Sequence, residues 1–226
     1  MLRILFAFLA VYGTAIGMAV WTFRRSDLTF FDDAYMFYRY AINIRHYLGV
    51  SWNLDGVHTY GMTSLTWQFL VWVMSFLRIK PAGILIIAST LTFCAAVTIM
   101  AKFIQQTAKS QWLSRFENAL LAVALPLVLQ YVFLQNVTNG MDTMLSLLMS
   151  GLIGIVALSF AQKESWQSAV IAGGVGYLAQ ATRPEAELCA LLLPVLAFFF
   201  MSKRRSWMPV LIFLATNLGL VSIQLL

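Results

Sequence analysis

Asp32 and Asp33 stand side by side in the segment Phe31-Asp-Asp-Ala-Tyr-Met-Phe-Tyr-Arg-Tyr-Ala-Ile-Asn43, just beyond the first apolar run of the chain. A carboxylate in such a place can take the proton of a hydroxyl as a general base, a role worth about 10²- to 10⁴-fold in rate. It can also offer oxygen ligands to a hard divalent cation. On a helix, Asp32, Tyr35, Arg39 and Asn43 recur at three- and four-residue spacing and form one polar stripe, with Phe37, Tyr40, Ile44 and Tyr47 supplying an apolar side. The plainer reading makes Asp32 and Asp33 helix caps that complement the dipole, with Arg39 bound to lipid phosphate.

Two more polar clusters follow. In Asn136-Val-Thr-Asn-Gly-Met-Asp142, the carboxylate of Asp142 opens an apolar run. At the centre of a membrane span it would cost about 2.5 to 3.5 kcal/mol, but much less at the edge, so it is either a helix-end charge or a site residue. Asn136-Val137-Thr138 also matches the N-glycosylation sequon. In Thr182-Arg-Pro-Glu185, Pro184 suits the first turn of a helix and Glu185 suits its dipole. Arg183 then either clamps a phosphate or pairs with Glu185 or Glu187. His46 and His58 lack metal-ligand spacing and read as polar loop residues. Cys94 and Cys189 sit in apolar runs and read as packing residues.

The elements that must position these groups belong to a bilayer. The chain is 61% hydrophobic and 11% charged, with a mean hydropathy of +0.80. Its apolar runs predict an all-α, polytopic transmembrane bundle of about seven spans, near 4–23, 82–101, 116–134, 141–160, 166–180, 187–201 and 207–226. The run 64–79 is short of the ~20 residues a span needs; it reads as an interfacial helix in a long external loop, 24–81, with Trp67, Trp72, Arg78 and Lys80 at headgroup level. With a cytoplasmic amino terminus, the basic clusters Lys102/Lys109/Arg115, Lys163 and Lys203-Arg204-Arg205 all fall inside, as positive-inside bias demands. The net charge of +6 is thereby accounted for without nucleic acid. The same topology puts all three polar clusters on one non-cytoplasmic face. The apolar run that reaches Leu226 is expected to belong to a longer natural protein, of which 1–226 is a single transmembrane module.

Taken together, the clusters resemble the GT-C superfamily of polytopic glycosyltransferases that use polyprenyl-phosphate sugars, in particular its bacterial arabinofuranosyltransferase-like and mannosyltransferase-like branch. The resemblance is to an ordered set of motifs. Asp32-Asp33-Ala34-Tyr35, Arg39-Tyr40-Ala41 and Asn43 match an Asp-Asp-Ala-Tyr-x-x-x-Arg-Tyr-Ala-x-Asn element, and Gly61, Thr63, Ser64 and Trp67 match a Gly-x-Thr-(Asn/Ser)-x-x-Trp element. Asn139 to Thr143 match (Ser/Asn)-Gly-Met-(Glu/Asp)-Thr, and Thr182 to Glu185 match Thr-Arg-Pro-Glu. Tyr60 and Leu65 depart from the pattern, which has an acidic residue and a proline there.

The resemblance implies an inverting displacement at an anomeric carbon, with lipid phosphate as leaving group and no nucleotide. Asp32 would be the base, and Asp33 would assist it or bind a metal. Arg39 and Arg183 would stabilise the phosphate, with Tyr35, Asn43 and Glu185 also in the substrate site. Asp142 would bind sugar hydroxyls or complete a Mg or Mn site with Asp32 and Asp33. The expected partners are a polyprenyl-phosphate sugar, a glycan, lipid or protein hydroxyl as acceptor, and membrane lipids. The expected location is the bacterial cytoplasmic membrane with the site facing outward. Two other classes stay open. A transporter or flippase of lipid-linked saccharide would need charges or broken helices near mid-membrane, and a non-catalytic subunit would tolerate Asp32→Asn.

Overall fold

A computed structural model describes residues 9–24, 32–55, 57–59, 61, 63–108, 111, 115–129, 139–202 and 206–225; the side chains of Asp32, 124–129 and Leu225 are outside the description. Apart from an isolated bridge between Ser51 and His58, the regular structure among the described residues is helical. After a π-helical turn at Leu9–Gly13 come α1 (Thr14–Arg24), α2 (Asp32–Arg45), α3 (Leu65–Ser75), α4 (Pro81–Thr107), α5 (Phe116–Leu129), α6 (Thr143–Lys163) and α7 (Trp166–Thr182). A 3₁₀ turn at Pro184–Ala186 leads into α8 (Glu187–Met201), and α9 (Met208–Leu225) ends the chain described.

A helix stands at each of the seven apolar runs. Three of them, Pro81–Thr107, Thr143–Lys163 and Pro184–Met201, are long and apolar enough to cross a membrane among the described residues. The chain thus has transmembrane character. At 1.5 Å per residue, α4 is about 40 Å long and α3 only about 16 Å, against roughly 30 Å of hydrocarbon. The outer parts of two expected spans, 4–8 and 130–134, lie outside the described residues, as do Lys109, Lys203, Arg204 and Arg205.

The chain forms two compact units, Met1–Leu148 and Met149–Leu226, with the boundary inside α6. In the first, α1 and α5 pack on α4, where Val11, Ala15, Phe93, Val97, Ala119, Leu120 and Met144 form a buried core. The hydroxyls of Tyr12 and Thr98 meet within this layer. Helix α3 lies between α2 and α4. Its buried stripe, Ser64, Trp67, Gln68, Val71 and Ser75, repeats at helical spacing.

In the second unit, α7 packs against α9 and α8. Phe160 stacks on Phe198 with ring centroids 5.1 Å apart and lies 5.7 Å from Phe213. Gly173 and Gly176 let the α7 and α9 backbones approach closely, as small residues do between helices in lipid. Asn217 is buried at that contact and donates from Nδ2 to the Gly173 carbonyl at 3.3 Å. A Cβ on Gly173 would sit 2.8 Å from Thr216 Cβ and 3.0 Å from the Phe213 carbonyl oxygen, whereas one on Gly174 would meet nothing within 4 Å. Gly173→Ala should therefore cost about 1–3 kcal/mol through overpacking, while Gly174→Ala should be neutral or slightly stabilising, because glycine weakens a helix interior. Thermal unfolding of the two variants in detergent checks this, and equal midpoints would contradict it.

Candidate functional site

The acidic pair opens α2. Asp32 is its first residue and Asp33 its second, with Asp33 exposed. Ala34, next in sequence, is wholly buried, because it is the surface on which the second polar cluster packs. Gly140 has a left-handed φ of +77°. A Cβ there would lie 3.1 Å from Ala34 Cβ and 2.9 Å from Leu85 Cβ. Only glycine combines that backbone with that closeness. The turn is tightened by Asn139, whose Oδ1 accepts from the Met141 N–H at 2.9 Å.

Immediately after this turn, Asp142 is 5% exposed, and its carbonyl accepts the Ser146 N–H at 2.8 Å, the opening bond of α6. The turn is also tied to α3. Trp67, expected at headgroup level, is instead fully buried and donates from Nε1 to the Gly140 carbonyl at 3.2 Å. Residues from the Asp-Asp-Ala, Gly-x-Thr-Ser-x-x-Trp and Asn-Gly-Met-Asp motifs, scattered over more than a hundred positions, thus meet around Ala34, Trp67 and Gly140.

The rest of the first motif builds the loop that follows α2. Arg39 Nε donates to the Trp52 carbonyl at 2.7 Å, and its guanidinium lies 5.2 Å from the Trp52 ring centroid. The Tyr40 hydroxyl lies 3.1 Å from Thr59 Oγ1 and accepts the Gly61 N–H at 3.3 Å. Thr59 Oγ1 also accepts the Trp52 N–H at 2.8 Å. Asn43 is buried and donates from Nδ2 to the Ser51 carbonyl at 2.7 Å and the Trp52 carbonyl at 3.2 Å. The polar stripe expected on α2 is consequently split: Tyr35 and Arg39 are exposed, but Asn43 faces the loop. Tyr47 leaves the apolar side altogether. The helix ends at Arg45, and Tyr47 adopts a φ of +63° with 98% exposure.

Asn43→Ala would leave the Ser51 carbonyl without this donor, whereas the Trp52 carbonyl keeps Arg39; the expected cost is about 1–3 kcal/mol. Faster hydrogen exchange across 51–61 with little change elsewhere is the expected result; unchanged exchange there would remove Asn43 from this structural role.

The third cluster belongs to the second unit. Thr182 is buried and donates from Oγ1 to the Leu178 carbonyl at 2.8 Å. Arg183 is partly buried and its N–H donates to the Ala179 carbonyl at 2.9 Å, while Pro184 and the exposed Glu185 form the 3₁₀ turn. Asn136, Val137 and Thr138 lie outside the described residues. Among the described residues no three His, Cys, Asp or Glu side chains are grouped to hold a metal ion; of the three expected ligands, Asp32 has its side chain outside the description.

Thr59, Trp52 and Ala34 are the structural partners that motif reading missed. Ala34 was within reach, since an alanine between an acidic pair and an aromatic run fits a close contact. Comparisons with protein-family models, curated proteins and solved structures give no match in any of the three. The resemblance described above rests on the ordered motifs of the sequence.

Proposed function

We propose that the chain is a GT-C-type membrane glycosyltransferase, moving a sugar from a polyprenyl-phosphate donor to a hydroxyl acceptor with inversion. The observation that carries the reading is the contact of Ala34 with Gly140, braced by Trp67, which brings the acidic pair of α2 and the Asp142 turn onto one patch of the first unit. A carboxylate at the start of α2 suits proton abstraction from a hydroxyl.

In this reading Asp32 accepts the acceptor's hydroxyl proton as its oxygen attacks the anomeric carbon. The bond from that carbon to the phosphate oxygen breaks, and the lipid phosphate leaves with the electron pair. Asp33 assists the base, and Asp142 orients sugar hydroxyls. The motif resemblance gives Arg183 the task of offering charge to the leaving phosphate. Arg39 can do so only with the terminal nitrogens left by its Nε bond to the loop. In the alternative role, Asp33 and Asp142 would instead hold a Mg or Mn ion with Asp32, and the ion would supply further positive charge. The bundle has about seven spans, with the site on the outer face of the bacterial cytoplasmic membrane.

Proteoliposomes loaded with a labelled lipid-linked sugar separate this reading from transport. A transferase converts the label into a new covalent product and leaves free polyprenyl phosphate. A flippase moves the intact donor to the other leaflet without cleaving it, and that outcome would overturn the proposal.

A further inference from the structure

We propose that the outward face of α3, together with the basic end that follows it, docks on anionic phospholipid headgroups. The inference rests on the membrane character of the chain and is independent of the transferase reading.

Helix α3 is apolar on nearly every side. Its inner stripe is covered by α2 and α4, but Phe69, Val73, Phe76 and Leu77, on the opposite side and just past its end, are 44–63% exposed. A helix that is apolar all round is stable only when both faces are covered. Protein covers one; at about 16 Å the helix is too short to cross hydrocarbon and expose the other to it along a span. A helix lying in the interfacial plane, with its outer face in the boundary between headgroups and acyl chains, satisfies both conditions.

The charge at its end selects the headgroup. Arg78 and Lys80 are exposed, and neither is paired with a carboxylate among the described residues. The sequence has no Asp or Glu between Asp55 and Glu117. A third cation is fixed at the same end: Arg45 Nη1 donates to the Ser75 carbonyl at 2.9 Å, with its guanidinium 5.7 Å from the Phe76 ring centroid. Three positive charges beside an apolar, aromatic face complement an anionic lipid surface.

The test uses the whole chain in vesicles, with Cys94 and Cys189 replaced by alanine and a fluorophore on Leu77→Cys. Brominated phosphatidylglycerol should quench it more strongly than brominated phosphatidylcholine at the same mole fraction. Arg78→Gln and Lys80→Gln should each lower that preference, by up to about fivefold per cation, and together bring it close to parity. Equal quenching by the two lipids in the parent protein would overturn the headgroup selectivity. Quenching by aqueous iodide alone would overturn docking altogether. A second probe on Leu91→Cys, exposed on the long helix α4, keeps the failures apart. If lipid bromine reaches 91 but not 77, docking falls and the membrane character stands; if it reaches neither, both fall.

Discussion

Asp32→Asn is expected to reduce turnover by about 10²- to 10⁴-fold while donor affinity stays near the wild-type value. The amide keeps the shape of the carboxylate and is an equally good residue for the start of a helix, so α2 should form as before. What it loses is the ability to accept the acceptor's proton in the transition state, and such a loss appears in kcat rather than in ground-state binding. Single-turnover release of polyprenyl phosphate, run beside a donor-binding measurement, reads the two quantities separately. Unchanged turnover would remove Asp32 from the role of base. Turnover and binding lost together, in a folded protein, would make it a binding residue instead.

Gly140→Ala should have the largest effect on the architecture. The new methyl would have to enter a space bounded by Leu85 Cβ at 2.9 Å and Ala34 Cβ at 3.1 Å, and it would have to do so at a φ of +77°. Overpacking contributes about 1–3 kcal/mol and the left-handed backbone about 1–2 kcal/mol. The damage falls on a contact that joins the acidic pair to the Asp142 turn, so activity should fall along with stability. A thermal midpoint and turnover both at wild-type values would show that the two motifs are not held together there.

Apolar run length and punctuation were enough to place helices at all seven expected runs and to single out 64–79 as too short to span. The physics there is local, since a helix in an apolar medium is specified by its own composition. Side-chain roles were harder to read because they depend on partners far away in sequence. Trp67 reads as an interface anchor beside Trp72, Arg78 and Lys80 on a run too short to span, yet its indole N–H is used 73 residues away on Gly140. Asn43 shared a helical face with Asp32 and Tyr35, but the segment 51–53 folds back and takes its amide. Periodicity alone cannot foresee a returning loop. The site was legible as a set of acidic and glycine-bearing motifs; that Ala34 is the surface joining two of them required the fold.

The most direct test of the central claim is release of free polyprenyl phosphate by the wild-type chain in nanodiscs, across a panel of polyprenyl-phosphate sugars with a hydroxyl acceptor present. Release with at least one donor, accompanied by an acceptor product of inverted anomeric configuration, is the predicted result. A folded protein that binds donors yet releases lipid phosphate from none of them would contradict the transferase account.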